Sequence, residues 1–261
     1  MRALSIAASG MQAQQTNVDV ISHNIANMNT TAYKRQRAEF QDMLYQNMER
    51  PGSTSAASGA VLPLGIQIGV GVQTDAVGRI TEQGGIASTQ NPYDIAINGR
   101  GFFQVALPSG QTAYTRAGNL AVNADGALVT ADGYLLEPSI TVPQEAVGVQ
   151  ITRDGIVEVT MAGQTDPQQV GQIEIANFIN PAGLEAIGDN LYLETPASGT
   201  VNTATPGSPG FGTLMQGYLE LSNVNAVEEI SSLIVAQRAY EMNARVITAA
   251  DEMLQSTTQL R

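Results

Sequence analysis

The sequence contains no cysteine and no tryptophan, and among its 261 residues there is a single lysine and a single histidine. Without cysteine there is neither a disulfide framework nor a thiolate metal site. With aromatics at 5%, stacking platforms for sugars are scarce and any core must be mostly aliphatic. One lysine in a chain of formal net charge −12 excludes a nucleic-acid surface, which needs clustered cations to displace counterions. The same deficit argues against electrostatic attachment to an anionic membrane, and no apolar run approaches the length needed for direct membrane insertion. The opening MRALSIAASGMQAQQ lacks the continuous apolar stretch of a cleaved secretory signal, so a route out of the cytoplasm would have to read something else.

Catalytic chemistry is equally thin. His23 has no second histidine one helical turn away and no acid–nucleophile pair beside it in sequence, so it reads as a polar helix-surface or interface residue. The acids are scattered and mostly neighbour turns, with no zinc-protease or calcium-loop spacing. Gly99-Arg100-Gly101 precedes a strand rather than a helix and reads as a tight turn, not a phosphate cradle. Of the two rings that follow, one of Phe102 and Phe103 is expected in the core and the other at an interface. No catalytic, metal or cofactor site is expected, and a paired-carboxylate sugar hydrolase is the enzymatic alternative.

What is present is an uneven distribution of charge and pattern. Residues 1–50 hold five basic and four acidic residues, residues 224–261 three and five, and the middle four and fifteen. The two near-neutral ends carry heptads. Leu4, Met11, Val18 and Ile25 recur every seven residues, with a second row at Ala7, Gln14, Ile21 and Met28. Ala226, Leu233, Tyr240, Ile247 and Leu254 do the same at the other end, with a weaker row at Ile230, Gln237, Ala244 and Asp251. Ser222 or Asn223 is placed to cap this second helix, with Glu228 and Glu229 in its first turns where acids suit the dipole. A stripe of this kind on a lone helix asks for a partner helix.

The middle reads differently. Residues 51–71 are rich in Gly, Ser, Ala and Pro, carry no charge, and suggest extended structure that ends in a strand near Ile66–Val72. From there the chain alternates in short runs separated by Asp-Gly steps at Gly126, Gly133 and Gly155, the pattern of antiparallel hairpins. The predicted fold class is α+β, with long N- and C-terminal helices packed as a coiled-coil-like pair and an inserted, mostly antiparallel β domain. The predicted segments are residues 1–33 (N-terminal helix), 34–74 (extended linker), 75–221 (outer β domain) and 222–261 (C-terminal helix).

Two terminal motifs resemble the flagellar basal-body rod and hook family. The first is SHNIANMNTTAYKRQRAEFQDMLYQ, with Ala26, Asn27, Asn29, Thr30, Tyr33 and Lys34 at the family's Asn-rich run and Ala32 where the family usually has glycine. The second is SNVNAVEEISSLIVAQRAYEMNARVITAADEMLQ, with Ser222-Asn223-Val224-Asn225, Glu229 and the run from Gln237 and Arg238 to Asn243. Residues 45–64 and the central runs are most similar to the distal-rod branch of the family. The resemblance implies a structural subunit, not an enzyme, exported unfolded through the flagellar type III export apparatus and polymerising helically with itself in the periplasm. It implies the proximal-rod proteins, the hook protein and the P-ring and L-ring proteins as further partners. The expected assembly contacts are Leu4, Met11, Val18, Ile21, Ile25 and Asn27 at one end, and Asn223, Asn225, Leu233, Gln237, Arg238, Tyr240, Ile247 and Leu254 at the other. Competing readings are a proximal-rod or hook subunit, a trimeric carbohydrate-active β protein, or a soluble oligomeric adaptor.

Overall fold

A computed structural model describes residues 2–49, 65–163 and 166–259, so most of the neutral 51–71 segment lies outside the described residues. The chain divides into two compact units: Met1–Ala26 with Gln36–Gly78 and Asn225–Arg261, and Asn27–Arg35 with Arg79–Val224. Together they hold two long helices and a large antiparallel β region, an α+β chain.

The first unit holds helix α1, Arg2–Ala26, and helix α2, Ala226–Gln259. They run antiparallel side by side: Asn24 donates to Glu229 Oε2 at 3.2 Å, and Gly10 sits under the side chain of Asn243. Small residues make this close approach feasible, with Ala7 and Ala13 buried on α1 and Ala236 and Ala250 on α2. The buried row of α2 is Glu229, Ala236 and Ala250, with half-buried Asn243 between them. This row starts three residues after Ala226, whereas the weaker sequence row, Ile230 to Asp251, starts four after it. Both spacings satisfy a heptad; the alanines win because they let the helix backbones come close. The helix is capped by Asn225, whose side chain accepts from Val227 N at 3.1 Å, rather than by Ser222 or Asn223. Asn223 is engaged elsewhere, as described below.

The same unit contains a two-stranded ribbon. Gln36–Asp42 pairs with Val72–Arg79, and Tyr45–Glu49 pairs antiparallel with Ile66–Gly69. Met43 N to Gly71 O and Val70 N to Leu44 O join the two ladders into one hairpin-like arm. Its first strand, QRAEFQD, has no clean alternation, which is why only the returning strand stands out in the sequence. The arm is exposed on both strands, with Leu44, Tyr45, Met48 and Ile66 all outward.

The second unit is antiparallel β throughout. Nine strands form its main sheet, running Glu185–Gly188, Leu191–Leu193, Thr112–Thr115, Phe102–Ala106, Leu135–Glu137, Leu128–Val129 and Ala121–Val122, with Ile175–Asn177 and Asn202–Ala204 branching from Phe102–Ala106. A three-stranded sheet, Ala146–Ile151, Ile156–Met161 and Gln168–Gln172, adds to it. The hairpins share one turn design. In Asn123-Ala-Asp-Gly and Thr152-Arg-Asp-Gly, the first side chain accepts backbone N–H groups from Ala127 and Ile156, and the glycine takes φ of +83°. A left-handed step there costs glycine little.

Alternation along Phe102–Ala106 puts adjacent rings on opposite faces. Phe103 enters the main aliphatic core with Ile95, Ile97, Leu128, Leu136, Ile173 and Ile175. Phe102 is also buried, in a second aromatic cluster with Tyr114, Phe178 and Tyr192. Edge-to-face contacts of 5.9 Å to Phe178 and 6.0 Å to Tyr192 hold it there. Both rings are therefore buried within the subunit itself, where the sequence placed only one of them in the core.

Candidate functional site

The terminal motifs converge on one carboxylate. Four segments of the second unit meet at Glu220: Asn27–Arg35, the stretch after Arg79, Arg116 just beyond the strand Thr112–Thr115, and the strand Tyr218–Glu220. Chain conformation prepares the meeting. Ala32 takes φ of +56°, a left-handed step made by an alanine at the position where the resemblance leads one to expect glycine. With that step, Ala32 N donates to the Glu220 backbone oxygen at 2.8 Å, and Lys34 follows two residues later, facing the side chain.

Three donors meet the Glu220 carboxylate. Oε1 accepts from Lys34 Nζ at 2.6 Å and from Gly84 N at 2.9 Å, and Oε2 accepts from Arg116 Nε at 2.5 Å. Lys34 also donates to the Glu82 carbonyl at 2.7 Å. Arg116 also donates to the carbonyls of Gly101, Gly99 and Ile97. The exposures are 1% for Glu220, 5% for Lys34 and 6% for Arg116. Charges this deep persist only when paired and fully hydrogen-bonded. Burial pushes the Lys34 ammonium below its ordinary value, and Glu220 pulls against that shift. Both carboxylate oxygens are thus engaged inside the unit, by two cationic side chains and one backbone N–H. The chemistry of Glu220 is that of a clasp.

Asn223 closes the junction. Its Oδ1 accepts from Arg35 N at 2.6 Å, and its Nδ2 donates to the carbonyls of Ile80 and Glu82 at 3.0 and 3.1 Å. Asn190 adds a donor to the Thr31 carbonyl at 3.3 Å, and Thr30 donates to Asn27 Oδ1 at 3.1 Å. In the first unit Asn24 plays the matching part. It accepts from Gln36 N at 2.9 Å and donates to Gln36 O at 2.8 Å while reaching Glu229. Asn24 and Asn223 thus serve as side-chain partners for backbone groups where strands and helices hand over.

The residues singled out by the sequence fall into distinct settings. Ile21 is buried on α1, and Leu4, Met11, Val18 and Ile25 are half-buried there. Asn27 and Asn223 are half-buried within the second unit. Leu233 and Ile247 are half-buried on α2, whereas Asn225, Gln237, Arg238, Tyr240 and Leu254 are exposed. Glu220 and Arg116 were not singled out at all. Glu220 is a lone charge between Leu219 and Leu221 at the end of a strand, and that mismatch is the available signal; Arg116, just after the strand Thr112–Thr115, carries none. Among the described residues no cluster of His, Cys, Asp or Glu is arranged to hold a metal ion, and no helix is long and apolar enough to cross a membrane.

Comparison with known proteins decides the family. Residues 4–34 match the flagella basal body rod protein family, residues 96–159 the flagellar hook protein FlgE/F/G D1 domain, and residues 215–260 the flagellar basal body rod FlgEFG protein C-terminal family. The chain is 60% identical over 261 residues to the flagellar basal-body rod protein FlgG of Caulobacter vibrioides, covering all of both chains. The chain belongs to the FlgG family of flagellar basal-body rod proteins. It is 48% identical to FlgG of Borreliella burgdorferi and 40% identical to FlgG of Bacillus subtilis, in each case over 100% of this chain and 99% of the relative. The FlgG family consists of structural rod proteins, and the buried Glu220 clasp is in keeping with a structural part.

Proposed function

We propose that this chain is a structural subunit of the flagellar distal rod, polymerising helically with itself into the shaft that carries motor torque through the periplasm to the hook. Full-length similarity to FlgG proteins supports the assignment. One structural observation carries the mechanism. Helix α2 covers one face on α1 yet exposes Val227, Ile230, Ile234, Val235, Met242 and Val246. An exposed apolar face of that extent is a liability for a lone subunit and a driving force once neighbouring subunits cover it, at roughly 25 cal/mol per Å² buried. In this reading α1 and α2 act as a coiled-coil-like pair that packs on the same pair of adjoining copies. The expected contacts are Leu4, Met11, Val18, Ile25, Tyr240 and Leu254 together with the exposed row of α2.

The ribbon built by Gln36–Asp42, Tyr45–Glu49, Ile66–Gly69 and Val72–Arg79, with Leu44, Tyr45 and Met48 outward, would lie across neighbouring subunits and resist sliding. The acidic second unit would face the P and L rings. Proximal-rod and hook proteins would cap the two ends of the polymer, and the flagellar type III apparatus would deliver the chain. The test is Val235→Asp in cells carrying no other copy. An exposed position leaves the isolated chain's stability within about 0.5 kcal/mol. Rods isolated from such cells should lack the protein, and swimming should be lost. Normal rods and normal swimming would overturn the proposal.

A further inference from the structure

The second unit has a cavity of about 450 Å³ that the clasp does not fill. Its walls carry Arg79, Arg100, Phe102, Phe178, Ile179 and Tyr192, with Lys34 and Arg116 beneath. Residues 51–223 hold only four basic side chains, against fifteen acids, and three of the four line this one cavity. The chain's single lysine is there too. Glu82 and the buried Glu220 offset only part of that charge, so the cavity is a net-positive spot on a strongly negative unit. Arg79 is held in place, 4.5 Å above the Tyr192 ring and 3.4 Å from the Leu184 carbonyl. Arg100 is exposed, and Ile179 at the mouth is 90% exposed. The site asks for a carboxylate beside an apolar side chain.

The chain carries such a group elsewhere. Residues 143–147 form a turn closed by Ala146 N to Pro143 O at 3.1 Å, with Glu145 exposed and Val147 75% exposed. The turn does not reach its own cavity. The strand it feeds, Ala146–Ile151, is tied at Val149 to Gln216, which pairs with Ile95. The cavity opens at the other end of that strand pair, beyond Asn98. A knob and a socket at different places on one subunit make a head-to-tail contact, which generates a helix rather than a closed pair.

We propose that the cavity of one subunit receives the Glu145–Val147 turn of the next copy, with Glu145 meeting Arg100 and Val147 meeting Ile179. The proposal rests on the rod-subunit reading and adds the contact between outer units to it. The absence of native cysteine makes the test clean. Val147→Cys and Ile179→Cys are introduced together in cells lacking other copies, and isolated rods are oxidised mildly. The expected result is a ladder of dimers, trimers and longer chains with loss of most of the monomer band, and no ladder from either single variant. Adding Arg100→Glu should weaken the ladder, and Glu145→Arg should restore it. Assembled rods with no ladder, or a cross-link from Ile179→Cys to a different protein, would overturn this contact and leave the rod reading standing. Rods that never contain even the unaltered chain would overturn both.

Discussion

Replacing Glu220 with glutamine keeps the shape of the side chain and removes its charge. Lys34 and Arg116 are then buried without a counterion, though Arg116 keeps three carbonyls and Lys34 keeps one. Removing one partner of a buried pair costs about 3–5 kcal/mol, because an uncompensated charge is left inside. For a unit of this size each kcal/mol moves the thermal midpoint by roughly 2–4 °C, so Glu220→Gln should lower it by about 6–20 °C. Added salt should not restore the loss, since screening acts weakly on buried charges. Arg37 and Glu39 supply the contrast at 2.7 Å, with 65% and 48% of their side chains exposed. Exposed pairs contribute about 0–1 kcal/mol, so Glu39→Gln should scarcely register. Circular dichroism melts of the dilute chain read both. If Glu220→Gln melts within 2 °C of the parent, the clasp does not hold these segments together and the reasoning fails.

Two further expectations follow from local geometry. Ala32 sits at φ of +56° and is buried, so Ala32→Gly should be tolerated within about 1 kcal/mol while Ala32→Val should cost roughly 2–4 kcal/mol from strain and crowding, read by urea unfolding. Burial raises the phenols of Tyr114 and Tyr192 above their ordinary value, so the folded chain holds protons there that the unfolded chain releases. Stability should therefore be intact below about pH 10 and fall above it, by up to about 1.4 kcal/mol per pH unit for each group, and the Tyr114→Phe, Tyr192→Phe double variant should flatten that alkaline loss.

The parts of this fold that repeat were readable before any coordinates. Asp-Gly turns at Gly126, Gly133 and Gly155 marked hairpins because only a few residues accept that backbone. The heptads marked the helices because burial on one face imposes a period. Single events were not readable. Lys34, Arg116 and Glu220 lie far apart in sequence, and nothing local links them. Asn223 stood where a helix cap belongs, but tertiary hydrogen bonds to Arg35, Ile80 and Glu82 took its side chain and left the cap to Asn225. The buried row of α2 was misplaced by one residue because 3-4 and 4-3 spacings look alike until the partner helix is known.

The assembly reading makes the terminal helices depend on neighbouring copies to cover the exposed apolar face of α2, and so to hold their order, whereas the Glu220 clasp has all its partners within one unit of one chain. Limited proteolysis of the dilute protein, with mass spectrometry of the fragments, tests it most directly. The account predicts early loss of α1 and α2 and a resistant remainder that retains Lys34, Arg116 and Glu220, with the ends protected only in isolated rods. Ends as resistant in the dilute protein as in rods would contradict it, because α1 and α2 would then be stable without the polymer.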